Sequence, residues 1–275
     1  MPFRPGPAPA VARRAAVIAA ALVLLLAGTP VAPVPTAAAS TTTASVATEL
    51  LRLTNADRAA IGLRPLRHDA RIAEIARVRA TTLTTAASFS HSAAGGSLVP
   101  ALAAADVQWY MAGEDLAWMP GGLTGATAAL IFREWKESPA HFELLMSNRL
   151  NYVGFGAALR GLDGRVFASA VFTESADHSA PSARVGTATR SGTAIAFTWR
   201  GYDAPLQTHW AGLRDFDVRY RVDAGAWRLL RDNTTATALR LGSRTRGHRY
   251  WVSVRARDRA GNIGGWSPAV SIWVP

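Results

Sequence analysis

An α+β domain followed by an all-β domain is the fold class that the sequence predicts, on three observations. Apolar residues recur at three- and four-residue spacing between Val46 and Met146, and from Tyr152 they switch to alternation. After a short polar stretch at 176–184 the helical period does not return. The boundaries read from these shifts are 1–39 as an export leader, 40–45 as a tether, 46–175 as the α+β domain, 176–184 as a linker and 185–275 as the all-β domain.

Residues 1–39 carry Arg4, Arg13 and Arg14 without an acid, then an apolar run from Ala15 to Ala27, then small residues ending at Ala39. That is the three-part pattern of a removable signal peptide. The run is shorter than the roughly 20 residues a membrane crossing needs, so no stable transmembrane anchor is expected and the protein reads as secreted, extracellular. With 0 Cys, the chain has neither disulfides nor a thiol to carry lipid, and each core must stand on packing. The formal charge of +11 invites a nucleic-acid reading. Against it, Lys136 is the one lysine among 30 basic residues, and the arginines are scattered and often adjoin Asp, as in Arg257-Asp258-Arg259. That skew looks like a GC-rich coding bias. Attraction to acidic cell-wall polymers or anionic lipid surfaces fits it better than nucleic acid.

In the first domain Val46, Leu50 and Leu53 mark one helix, with Gly62 as its stop. Asp69 can cap a second, whose apolar stripe is Ile72, Ile75, Ala76, Ala80 and Leu83. A short helix is expected over 98–105, a longer one from Thr124 to Glu137 around Leu130, Ile131 and Trp135, and another from Pro139 to Met146, since proline suits a first turn. Alternating strands follow at 152–157 and 166–172. In the second domain Phe216, Val218, Tyr220 and Val222 alternate with Asp217, Arg219, Arg221 and Asp223. Tyr250, Val252, Val254 and Ala256 alternate in the same way with Trp251, Ser253, Arg255 and Arg257. Turn residues at 223–225, 246–247 and 260–262 separate the strands of a small β-sandwich. The outward arginines Arg219, Arg221, Arg255 and Arg257, with Trp266 just beyond, leave two readings: guanidinium planes stacked around the indole, or an ordinary solvated face.

Several fragments carry a likeness through their shared order: Leu50 to Asn55 with Arg58, Gly62 to Leu66, Phe89-Ser90-His91, Gly113 to Ala117, Trp135 to His141, and Val153 to Gly156. On these the first domain resembles the CAP superfamily (cysteine-rich secretory, antigen 5, pathogenesis-related-1; SCP-like) in its cysteine-free bacterial form. The resemblance implies a CAP-type α-β-α sandwich with a cleft lined by His91, Glu114 and His141, and with Glu137 close to a fourth family position that the spacing could equally give to Ser138. Asp115 stands where Asn usually follows Gly-Glu. The second domain resembles a fibronectin type III module, through Trp199, Tyr220, Tyr250 and the run from Asp258 to Asn262 leading to Trp266-Ser267. That likeness implies adhesion or spacing rather than chemistry.

Two imidazoles with one or two carboxylates form a donor set for a divalent metal such as zinc. There is no His-Glu-x-x-His helix, so ligation by His91, Glu114, His141 and Glu137 rests on the family fold. A metal-free hydrolase would instead use Ser90 or Ser138 as nucleophile, His91 or His141 as base and Glu114 to orient it. Ser138 ahead of Pro139 also reads as a helix cap. The same polar residues could simply satisfy one another and hold helix to sheet. An acyl chain could lie beside the helix at 124–137. His68, His178, His209 and His248 receive no role. The function read from all this is a secreted extracellular binding or interaction protein, whose second domain positions a His/Glu cleft at a cell surface. Its partner would be an extracellular protein, a lipid or a cell-wall component; the alternatives are a metal-dependent extracellular hydrolase of peptide or cell-wall substrates, and a lipid-binding protein.

Overall fold

The computed structural model describes residues 42–275; the expected leader and the start of the tether lie outside them. Helix α1 (Thr43–Ala60) begins ahead of Val46, because Thr42 and Ser45 close a capping box in which each side chain accepts the other's backbone N–H. After strand β1 (Arg67–His68), helix α2 (Ala70–Leu83) is capped by Asp69, whose carboxylate accepts the Arg71 and Ile72 amides. Helix α3 (Leu98–Ala104), strand β2 (Met111–Met119), helices α4 (Gly125–Glu137) and α5 (Pro139–Leu145), and strands β3 (Tyr152–Leu159) and β4 (Val166–Glu174) complete the first domain. β1 and β2 escape the apolar pattern for different reasons. β1 has 2 residues, while Gly113, Glu114 and Asp115 interrupt the alternation of β2. Ser138, read as a cap, sits at the start of α5 but its side chain makes no capping bond.

The sheet order is β1-β3-β4-β2, antiparallel except where β1 joins β3. Alternation sends Val153, Phe155, Ala170 and Phe172 to one face, where Leu50, Ile131, Trp135 and Leu145 of α1, α4 and α5 cover them. Tyr152 and Val171 point the other way, onto Ile72 and Ile75 of α2 and Leu102 of α3. The result is an α-β-α sandwich with β2 as an edge strand. Arg58, fully buried, ties α1 to the end of α5: its guanidinium donates to the carbonyls of Arg64, Leu145 and Ser147. Burial without an acidic partner lowers its pKa to about 10.

In the all-β domain, strands β5 (Ser182–Ser191), β6 (Ala194–Tyr202) and β9 (Ala238–Ser243) form one sheet, in the order β5-β6-β9. Strands β7 (Leu213–Val222), β8 (Arg228–Thr234), β10 (His248–Asp258) and β11 (Val270–Val274) form the other, in the order β11-β10-β7-β8. Ile195, Phe197 and Trp199 from the first sheet meet Val218, Val252 and Val254 from the second, which makes a fibronectin type III-like sandwich. On its outer face the arginines are stacked. Arg221 lies over Trp251 and Trp227, Arg219 over Trp227 and Trp266, and Arg255 over Trp266, each 4.2 to 5.2 Å from a ring centroid. Arg257 instead faces Asp215 and Asp217. Trp266→Ala removes the contacts to Arg219 and Arg255, and is expected to lower stability in urea by about 1–3 kcal/mol. A change within about 0.5 kcal/mol would make the stack incidental.

The described residues form one unit, and the segment read as a linker is fixed within it. His178 stacks on Tyr152 at 3.9 Å, and its Nε2 meets Asp69 Oδ2 at 2.6 Å. The loop between β6 and β7 folds back onto the first domain: Leu206 is buried beside Ile72, Ile75 and Tyr152, and Thr208 donates to the Arg149 carbonyl. Asn151 donates to the carbonyls of Ser175 and Thr208, and His209 Nε2 meets Glu174 Oε1 at 3.0 Å. His178 and His209, left without a role by their local sequence, thus join the domains through contacts distant in the chain.

Candidate functional site

Glu114 lies on β2 opposite Val171 of β4, on the face covered by α2. Arg79 occupies the buried stripe of α2, between Ala76 and Leu83, and is 4% exposed. A guanidinium there must be paired, and it grips Glu114 through two contacts: Nε to Oε1, and Nη2 to Oε2 at 2.7 Å. Ser169 of β4 donates to Glu114 Oε1 at 2.9 Å, and Arg79 Nη2 also donates to the His91 carbonyl at 3.1 Å. His91 Nδ1 completes the carboxylate's shell, 2.8 Å from Oε2, while the His91 side chain remains 60% exposed. Arg79 is the residue that sequence reasoning missed. Its signal was an arginine on the apolar stripe of a capped helix, where its guanidinium needs buried acceptors.

Glu114 makes no hydrogen bond to His141 or Glu137. His141 lies on α5, with Nδ1 buried and without a hydrogen-bond partner. Burial first, then the nearby charge of His91, holds its imidazole below the ordinary pKa, with Glu134 pulling the other way. Glu137, near the fourth position that the resemblance implies, ends α4 two residues after Trp135. It is 72% exposed and faces Arg133 at 3.9 Å. Trp135 points into the core, and two residues further along a helix is the opposite face. The serines make no triad: Ser90 Oγ accepts the Ala93 amide, and Ser138 Oγ bonds neither end of the helices it separates.

Both oxygens of Glu114 are already held by Arg79, Ser169 and His91, and a cation there would face the Arg79 guanidinium. His91, Glu114 and His141 also do not bring one ligand atom each within 4.8 Å of one another. Arg79, His91, Ser97, Val99, Trp109 and Glu114 line a cleft of about 280 Å³, with Val99 and Trp109 exposed on its rim. An apolar groove of about 560 Å³ meets it at Arg79 and runs past Ile75, Val78, Ala94, Ala101 and Ala105. The groove lies along α2, not beside α4 as the sequence suggested.

An α-β-α sandwich with a buried carboxylate beneath an exposed histidine is the class of domain that fold and site define here. Residues 51–172 match the model of the Cysteine-rich secretory protein family and carry a CAP domain. No curated protein matches the chain. Among solved structures, an extracellular SCP-domain protein from Bacillus anthracis is 24% identical, with a TM-score of 0.41, over 48% of this chain and 41% of that one. An outer surface protein from Borrelia burgdorferi is 19% identical, with a TM-score of 0.43, over 49% of this chain and 96% of that one. An Fn3-like protein from Clostridium thermocellum is 22% identical over 35% of this chain and 96% of that one, with a TM-score of 0.27. The chain thus spans less than half the length of the Bacillus protein. Among the described residues no helix is long and apolar enough to cross a membrane.

Proposed function

We propose that the protein is a secreted extracellular binding protein, and that it takes its ligand on the joined surface of cleft and groove around Arg79. The observation that carries this reading is the state of Glu114. A carboxylate gripped by a buried arginine, a serine and a histidine is neutralised and fixed, which suits a rigid wall rather than a metal ligand or general base. The ring of His91 is left free to contact a ligand, next to the apolar rim of Val99 and Trp109. The second domain would hold this surface out toward a cell or matrix.

Lipid capture is the specific form favoured by the groove, whose apolar length ends at a polar cleft, as an acyl chain with a polar head requires. Titrating the purified protein with cis-parinaric acid tests it. Saturable fluorescence enhancement is expected in the parent. In Val78→Glu it should fall at least tenfold in affinity with an unchanged unfolding midpoint, because Val78 is half exposed in the groove and unfavourable to an acyl chain once charged. No enhancement in the parent would rule out the acyl ligand and leave an extracellular protein or cell-wall component as the partner to seek.

A further inference from the structure

Three carboxylates meet where the domains join. Asp177 lies between β4 and β5, Asp203 follows β6, and Asp258 ends β10; their relative exposures are 6%, 3% and 0%. One oxygen from each lies within 4.8 Å of those of the other two. Among the described residues no arginine, lysine or histidine forms an ion pair with any of them. Asp177 is tied down by the Tyr152 hydroxyl, Ser179 and the Ala211 amide, and Asp258 by the backbone and side-chain amide of Asn262. Asp203 differs: both of its oxygens are buried with no hydrogen-bond partner. Burial, and then the charge of Asp177, push its carboxyl above the ordinary value. The Trp210 indole and the Gly212 amide favour ionisation without reaching hydrogen-bond geometry.

We infer that Asp177, Asp203 and Asp258 form a calcium site that clamps the β-sandwich to the CAP domain. Like charges held this close in a dry setting repel strongly unless a cation lies among them, and the two free oxygens of Asp203 are what such a cation would take. The donors are all oxygen, which selects a hard ion over zinc or copper. Oxygens arranged around a calcium ion at about 2.3–2.6 Å can be up to about twice that distance apart, which the separation here satisfies. Magnesium would demand a tighter octahedron and keep most of its water. Asp177 follows the last strand of the CAP domain, whereas Asp203 and Asp258 belong to the β-sandwich, so the ion would bridge both.

The test uses the full protein stripped with chelator and titrated with calcium chloride, by calorimetry and by thermal unfolding. One calcium per chain and a midpoint raised by about 5 °C at saturation are expected. Asp203→Asn, which removes one charge at constant volume, should bind calcium at least tenfold more weakly and lose the shift, while remaining as stable as the stripped parent. The proposal is overturned if the parent shows no calorimetric calcium site, if magnesium alone produces the shift, or if Asp203→Asn responds like the parent. Should Asp203→Asn fail to fold, the calorimetric stoichiometry of the parent decides.

Discussion

Gly154→Ala is expected to destabilise the CAP domain by about 3 kcal/mol or more, a large share of the stability of a domain this size. The reason is the closeness of β3 to α2. A methyl on residue 154 would overlap the backbone of Ile72 and Ala73, and one on Gly156 would overlap that of Ala76 and Arg77. Backbone cannot rotate aside, so the helix must lift, taking Ile72, Ile75 and the Arg79 contact to Glu114 with it. Gly113→Ala is the control, because its methyl would meet only the side chain of Leu144, which can move. Urea unfolding followed by circular dichroism should show Gly154→Ala and Gly156→Ala strongly destabilised and Gly113→Ala far less. Equal midpoints for all three would contradict the close packing.

Asp115→Asn is expected to stabilise the protein at pH 8 by roughly 1–3 kcal/mol, and to matter little at pH 4. Asp115 is fully buried, beneath the helices on the face opposite Glu114, and neither oxygen has a partner. Burial first, then the charge of Glu114, pushes its carboxyl up to about 8, against about 3.9 in an unfolded chain. Between these values the folded protein holds a proton that the unfolded chain has lost, so the unfolded state binds fewer protons and stability falls as pH rises. This group's contribution is fully present below about pH 4 and has been lost once pH passes about 8, with a slope approaching 1.4 kcal/mol per unit between. An amide is neutral throughout and removes the slope. Parallel stability profiles for parent and variant from pH 4 to 8 would show that Asp115 is not held protonated.

Much of this architecture was legible where a local signal sufficed. Asp69 and the stripe from Ile72 to Leu83 specify α2 on their own, and Thr124 before an apolar face specifies α4. The edge strand β2 was not legible, because Glu114 and Asp115 belong to opposite faces and both are buried carboxyl groups, which breaks the apolar pattern that marks a strand. Of the candidate site, the pairing of His91 with Glu114 follows the family likeness, but Arg79 had to be found in space. Glu137 lies two residues beyond the buried Trp135, where the helical period turns it to solvent beside Arg133. His209 reaches from the second domain to Glu174, and His178 from the segment between the domains to Asp69; no local pattern encodes contacts so distant in the chain.

The central claim, that the cleft binds rather than hydrolyses, is tested most directly by turnover. Peptide and peptidoglycan substrates, with zinc supplied, would be incubated with the purified protein and with the His91→Ala/His141→Ala variant. The expected result is no turnover that depends on either histidine, with both proteins folded. Turnover by the parent that disappears in a folded double variant would contradict the account and make the cleft an active site.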